Sequence, residues 1–452
     1  MIKRLLITIL AAKIYLASSA LAQISLIRDA QSEKFLRDLS TPIFKAADLN
    51  PKDINIYIVN DSSINAFVSG GQNMFINIGL ITRYKTPDTL IGVIAHETGH
   101  IKAGHLARSH EAYEKAYTTM LLSYLLGIGA VVAGSPDAGM AVITGGQDAA
   151  TRLYLKFNRS QEEAADFHAI RYLSEIEYPS AGLVTLLKYF NQQMVGYEGQ
   201  IDEYLLTHPV STKRIDLILD RTKNNHFSNT KMNSALQNQM SIVIKKLEGF
   251  TQNPEEILRK YKNKNQPLDN YIKAIAYFRN NQLTKSLQLL NPLISSTKNT
   301  QEKGFLYELK GQILFENGQI DNAIISYNKA IKYLNIKYSS QAKLAFAAAI
   351  LNLNSSDEDL LKLASKNLEE AKIYEKQTPF LFKQLSNSYH KLGQHGKSYL
   401  ALAEYSLLIN EKEKARKYAQ KAKDELDEDD KMNILRAEDI SELSKKDKKD
   451  KK

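Results

Sequence analysis

The apolar positions divide the chain into stretches of different period. Across residues 32–49, Phe35, Leu36, Leu39 and Phe44 return every few positions, the repeat of an amphipathic helix. Residues 54–59 alternate instead, which predicts a strand. Two more strands are expected at 65–69 and 74–78, flanking the turn signal Gly70-Gly71. Leu90, Ile91, Val93, Ile94 and Ala95 then leave little polar face, as in a buried helix. Thr86 suits its N-cap, Pro87 its first position and Asp88 the positive end of its dipole. Another helix is predicted from Glu162, with Ser160 and Glu163 as a capping box and Phe167, Ile170 and Leu173 as its stripe. Tyr178-Pro179 breaks it, and Leu183, Leu186, Leu187 and Phe190 resume to about 196. Ser211 is expected to cap a short helix from Thr212 to about Arg221.

Beyond an Asn-rich linker at 222–231, a helix near 232–248 bridges to a region with a longer period. In residues 304–337, Tyr307, Gly311, Leu314, Gly318, Ala323, Tyr327 and Ala330 have the spacing of a tetratricopeptide helix pair, about 34 residues long. Weaker copies surround Ala274 and Tyr277, span 348–371, and include Tyr389, Gly393 and Tyr405. Ala415, Ala419 and Ala422 mark a final helix, after which the chain turns charged.

The stretch 120–134 is apolar, but its fifteen residues fall short of the roughly twenty that a bilayer span needs. With 139–146 it reads as a buried helical hairpin. The sharper alternative is a lid or membrane-touching segment.

The net charge of +10 raises the question of nucleic acid or an anionic surface. Part of that excess sits in the lysine-rich end, 445–452, and no aromatic-basic nucleic-acid module accompanies it. Residues 1–22 read as a secretory signal: Lys3 and Arg4, an apolar run over 5–16 that Lys13 interrupts, and Ala20-Leu21-Ala22 as a cleavage site. There is no cysteine, so stability rests on packing and any bound metal.

The buried-type helix carries His96-Glu97-Thr98-Gly99-His100. Residues four apart on a helix differ by about 40° in direction, so His96 and His100 share a face and can clamp one metal ion, zinc above all. Glu97 lies about 100° round from His96, off the ligand face but near the attacking water, where a carboxylate can act as base. A third ligand is required. His105 is one residue out of the metzincin register and points about 180° from His96, so it reads as a packing or supporting residue. Glu162 and Asp166 are one turn apart on the later helix. Glu162 can ligate zinc, and Asp166 can accept a hydrogen bond from a ligand imidazole.

H-E-x-x-H followed by E-x-x-A-D (Glu162 to Asp166) resembles the gluzincin metalloproteases that include HtpX and the CAAX prenyl proteases. His208-Pro209 with Arg214 is similar to that family's H-P-x-x-x-x-R element. The signal and the repeats narrow the resemblance to the periplasmic BepA-like branch. It implies Glu162 as third zinc ligand and an edge strand along which a peptide lies. It also implies a His208 that occupies the fourth zinc position at rest and leaves before catalysis. The alternative role for His208 is to stabilise the oxyanion.

The expected architecture is an α+β metalloprotease domain, mostly helical with a small sheet, followed by an all-α tetratricopeptide-like array. The boundaries are 1–22 signal, 23–225 protease, 226–267 linker and bridging helix, 268–425 repeats and 426–452 disordered tail. The expected metal ligands are His96, His100 and Glu162, for one Zn²⁺ per chain. Glu97, Asp166 and His208 are the expected catalytic group, and Arg214 anchors the His208 loop. The resemblance implies a periplasmic metalloendopeptidase in outer-membrane protein quality control. Its partners would be outer-membrane proteins or their assembly machinery, met through the repeats, with 120–146 as a candidate membrane contact. The rival reading is a non-proteolytic chaperone or scaffold with structural zinc.

Overall fold

A computed structural model describes residues 25–70, 72–105, 115, 118–124, 126, 136–195, 204, 208–223, 225–353 and 356–445. The signal sequence expected at 1–22 lies outside them. The chain forms two units, essentially Ser32–Leu247 and Glu248–Lys452.

The first unit is α+β. Its four-stranded sheet has the order β1-β2-β4-β3, from β1 (Leu26–Ile27), β2 (Asn55–Val59), β3 (Ala66–Ser69) and β4 (Asn73–Asn77). β3 and β4 are the expected hairpin, turning through Gly70 at φ +56°. Because β3 takes the outer position, β2 pairs with β4 in parallel. Tyr57, Phe75 and Phe67 stack across the three strands at 5.1 and 5.0 Å. Ile58, Met74 and Ile76 point the other way, into a core shared with α1 (Ala30–Ala46), whose Phe35, Leu36, Leu39 and Phe44 are all buried. β1 has no counterpart in the sequence reading; two residues are too few to show an alternation.

After α2 (Ile78–Arg83) comes α3 (Asp88–Ala103), which starts one residue later than Thr86 as N-cap implied, with Pro87 in the capping position. It ends at Gly104, whose left-handed backbone returns its N–H to the last turn. α3 packs against α4 (Pro136–Glu175) and α5 (Ala181–Val195). Two glycines set these approaches. A Cβ at Gly92 would meet Leu183 at 2.8 Å, and one at Gly99 would meet the Ala165 carbonyl oxygen at 2.9 Å. α6 (Thr212–Thr222) is capped by Ser211, whose Oγ accepts the Arg214 N–H. Met240, Val243 and Leu247 of α7 (Ser234–Thr251) complete the core.

Two expectations about α4 fail. The helix does not begin at Ser160: it is continuous from Pro136, and the Ser160 hydroxyl donates to the Phe157 carbonyl inside it. Serine, aspartate and glutamate at 160–166 satisfy the spacing of a cap, but the flanking turns are helical too and outweigh that local preference. Nor is 120–146 a buried hairpin in its described part. Leu121, Leu122, Leu126, Met140 and Val142 are exposed. Among the described residues no helix is long and apolar enough to cross a membrane.

The second unit is helical throughout its described residues: α8 (Pro254–Lys260), α9 (Pro267–Arg279), α10 (Leu283–Ser296), α11 (Thr300–Glu316), α12 (Ile320–Tyr333), α13 (Ser340–Asn352), α14 (Glu358–Lys372), α15 (Pro379–Lys391), α16 (His395–Leu408), α17 (Lys412–Glu425) and α18 (Lys431–Leu443). Each of these packs against the next in sequence. The stretch 426–452 is not a wholly disordered tail, because α18 buries Ala437 and Ile440 with Ala415, Ala419 and Ala422. Its high charge hid two inward positions three residues apart, enough for one helical face.

Candidate metal centre

The close approach at Gly99 brings the C-terminal part of α3 against the second half of α4, and the charged residues of both helices meet there. Ligand atoms of His96, His100, Glu162 and His208 all lie within 4.8 Å of one another, and all four residues are buried. His96 Nε2 is 3.1 Å from His100 Nε2. Glu162 sets one oxygen 3.3 Å from each of these nitrogens. Its carboxylate is also 3.3 Å from His208 Nδ1.

These separations test whether a metal fits. Zinc holds nitrogen and oxygen ligands at about 2.0–2.2 Å in a tetrahedron, which sets neighbouring ligand atoms roughly 3.3 Å apart. The observed spacings match that. Imidazoles with one carboxylate are also the donor set that zinc takes. The remaining contacts orient the donors. His96 Nδ1 lies 2.9 Å from Asp166 Oδ1. Arg214 donates from Nε to Asp166 at 2.8 Å, from Nη1 to the Pro209 carbonyl at 2.7 Å, and its Nη1 is 3.0 Å from Glu162. His105 is not among the donors; its Nδ1 is 2.9 Å from His100 Nδ1, and its carbonyl accepts from Gln161.

The electrostatics are those of a site built around positive charge. Burial disfavours a protonated His96, yet Asp166 and Glu162 on its two nitrogens raise it to about 10. Burial, with the charge on His96, pushes His100 down to about 3 against the pull of Glu162. Burial works against an ionised Glu162, but His208, His100 and His96 hold it well below the carboxylate range. Asp166 is likewise depressed, its burial outweighed by Arg214 and His96. Glu97 differs. Burial raises it, and among the described residues neither carboxylate oxygen has a hydrogen-bond partner, although Oε1 is 3.3 Å from His208 Nε2. A buried carboxylate left open beside the donor cluster is poised to take a proton.

The structure therefore brings together His96, His100, Glu162 and His208, with Glu97, Asp166 and Arg214 against them. Three contributors escaped the sequence reading: Gly99, which permits the helix approach, and Phe190 and Tyr204, which back His208. Gly99 lies inside the motif, so its packing role was masked by its neighbours. Tyr204 stands four residues before His208, a one-turn spacing that was readable.

A small sheet, a buried H-E-x-x-H helix and a second helix supplying a carboxylate define a metallopeptidase-type domain. Residues 30–222 match the family model "Peptidase family M48", so the chain carries a domain of that family, one that uses zinc. Beta-barrel assembly-enhancing protease from Escherichia coli K12 is 27% identical over 192 residues, 42% of this chain and 39% of that protein. The protein of the same name from Yersinia pestis is 27% identical over 194 residues, 43% and 40% of the two chains. Mitochondrial metalloendopeptidase OMA1 from Schizosaccharomyces pombe is 30% identical over 164 residues, 35% and 44%. The match thus covers less than half the length of each of these relatives.

Proposed function

We propose that the chain is a periplasmic zinc metalloendopeptidase that cleaves misfolded or stalled outer-membrane β-barrel proteins. The observation that carries the peptidase reading is the buried cluster of His96, His100, Glu162 and His208 with the open Glu97 carboxylate beside it. The relatives named for β-barrel assembly support the substrate class. The charged and apolar pattern of 1–22 supports export.

In this reading His96, His100 and Glu162 hold the zinc. When bound, the metal polarises the scissile carbonyl and acidifies the attacking water. Glu97 takes the proton at its carboxylate and passes it to the leaving amine. Asp166 fixes the His96 tautomer through Nδ1, and Arg214 holds Asp166, Glu162 and the His208 loop together. His208 fills the fourth donor position at rest. The outer edge of β3, beside α3, offers backbone groups for an extended substrate.

The helices over 268–425 are read as tetratricopeptide-like and as the substrate- or partner-docking part. In support, Asn281, Gly318 and Gly393 take left-handed backbone angles at corresponding helix–helix turns, and a Cβ at Gly311 would strike the Tyr327 ring at 2.6 Å. The exposed leucines near 120–146 support peripheral membrane contact. A structural zinc in a pure scaffold gives no use for the open Glu97. The test is Glu97→Gln: about one zinc per chain retained, cleavage of an unfolded β-barrel protein lost, and the uncleaved substrate recoverable by crosslinking. Near wild-type cleavage would remove Glu97 as the base.

A further inference from the structure

We propose that Phe190 and Tyr204 form an aromatic stack that positions the His208 imidazole at the donor cluster. This rests on reading the cluster as a metal centre. His96 and His100 are fixed by α3, and Glu162 by α4. His208 comes from outside the helices, between α5 and α6, so something else must hold its ring.

The stack does so. Phe190 is fully buried in the core on α5. Its ring lies 4.5 Å from that of Tyr204 at an interplanar angle of 8°. Tyr204, 1% exposed, in turn lies 4.9 Å from the His208 ring at 36°. The Tyr204 carbonyl accepts the His208 N–H at 2.7 Å, so backbone and ring are tied over the same turn. The His208 ring also meets His96 edge-on at 5.2 Å. The imidazole thus packs both on a wall rooted in the core and on the candidate ligand His96. Its Nδ1 is directed to Glu162 and its Nε2 to Glu97. Neither Phe190 nor Tyr204 is a ligand; each acts through His208.

The test uses the purified full chain loaded with cobalt(II), whose visible absorption reports the number and kind of donors. It also uses the rate of metal loss to a chelator. Tyr204→Phe keeps the ring and should stay much nearer to wild type in both readouts than Tyr204→Leu does. Tyr204→Leu should move the spectrum toward that of His208→Ala and speed metal loss about five- to tenfold, as expected for one lost aromatic pair. Phe190→Leu, which keeps the core filled, should shift both in the same direction by less. In a His208→Ala background, Tyr204→Leu should add nothing. A wild-type spectrum for Tyr204→Leu, or an equal shift with His208 already removed, overturns the stack as a positioning device. Failure of the wild-type chain to take up cobalt would instead overturn the metal-centre reading itself.

Discussion

The two ends of α4 invert the usual surface. Its second half buries Gln161, Glu162 and Asp166, while its first half exposes Met140, Val142, Leu153 and Leu155. Intrinsic hydrophobicity predicts the reverse. Partners explain it. The buried carboxylates meet His96, His100, His208 and Arg214, which compensate them where an unpaired charge would be prohibitive. The exposed apolar residues have little protein over them: from Gln147, which donates to the Tyr124 hydroxyl, to Ser160, Ala150 is the buried position among those described. One helix therefore carries a site whose cost is met inside the fold and a surface whose cost is left open.

The comparison breaks most sharply at the buried end. Glu162→Ala should abolish stoichiometric zinc binding, because the remaining imidazoles would face Asp166 and Glu97 without the central carboxylate. Asp166→Ala should weaken binding by about 10- to 100-fold, the usual effect of losing a ligand's hydrogen-bond partner. Metal analysis of the purified variants, with competition by a chelator, separates the two. Full zinc content in Glu162→Ala would return His105 or another carboxylate to candidacy.

A smaller effect is expected from the contact that joins the helices. Gly99→Val adds side-chain atoms where even a Cβ would sit 2.9 Å from the Ala165 carbonyl oxygen and 3.0 Å from its Cα. Both are backbone atoms and cannot swing aside. Overpacking of this kind costs about 1–3 kcal/mol. Denaturant unfolding should show that loss in the metal-free chain, and zinc affinity should fall as α3 is pushed from α4. Unchanged stability and affinity would mean that Gly99 does not set the approach.

These residues also mark what the sequence made legible. Period and turn signals were enough for α1, the β3–β4 hairpin and, to within one residue of its start, α3, because each is decided by residues close along the chain. The candidate donors His96 and His100 were legible for the same reason, being one turn apart, whereas Glu162 and His208 were reached through the family resemblance. What stayed hidden depends on approach between segments distant in sequence. Gly99 against Ala165, Arg214 spanning Asp166 and Glu162, and Phe190 behind Tyr204 have no local signature. The start of α4 was misplaced because Ser160 and Glu163 meet the spacing of a capping box, yet Glu163 instead pairs with Lys213 at 2.9 Å.

The mildest change in stability should come from the exposed end, and it sharpens the contrast. From 118 to 147 the sequence has one charged residue, Asp137. Exposed Lys115 precedes this stretch, and exposed Arg152, Lys156 and Arg159 follow it. Asp148 also follows and pairs with Arg152, which leaves Lys115, Lys156 and Arg159 as the flanking cations that suit shallow contact of apolar side chains with anionic headgroups. Replacing Leu121, Leu122 and Leu126 by serine together should leave zinc content unchanged and shift unfolding by less than about 0.5 kcal/mol per site, since exposed positions have little packing to lose. The same change should abolish flotation of the chain with vesicles of phosphatidylglycerol and phosphatidylethanolamine. Exposed leucines contribute to membrane affinity through the area they bury there, not through the fold. A loss of several kcal/mol would instead mean that these leucines pack against protein, restoring the buried hairpin. Equal flotation of both proteins would assign the lipid contact, and the apolar surface of α4, to a different cause.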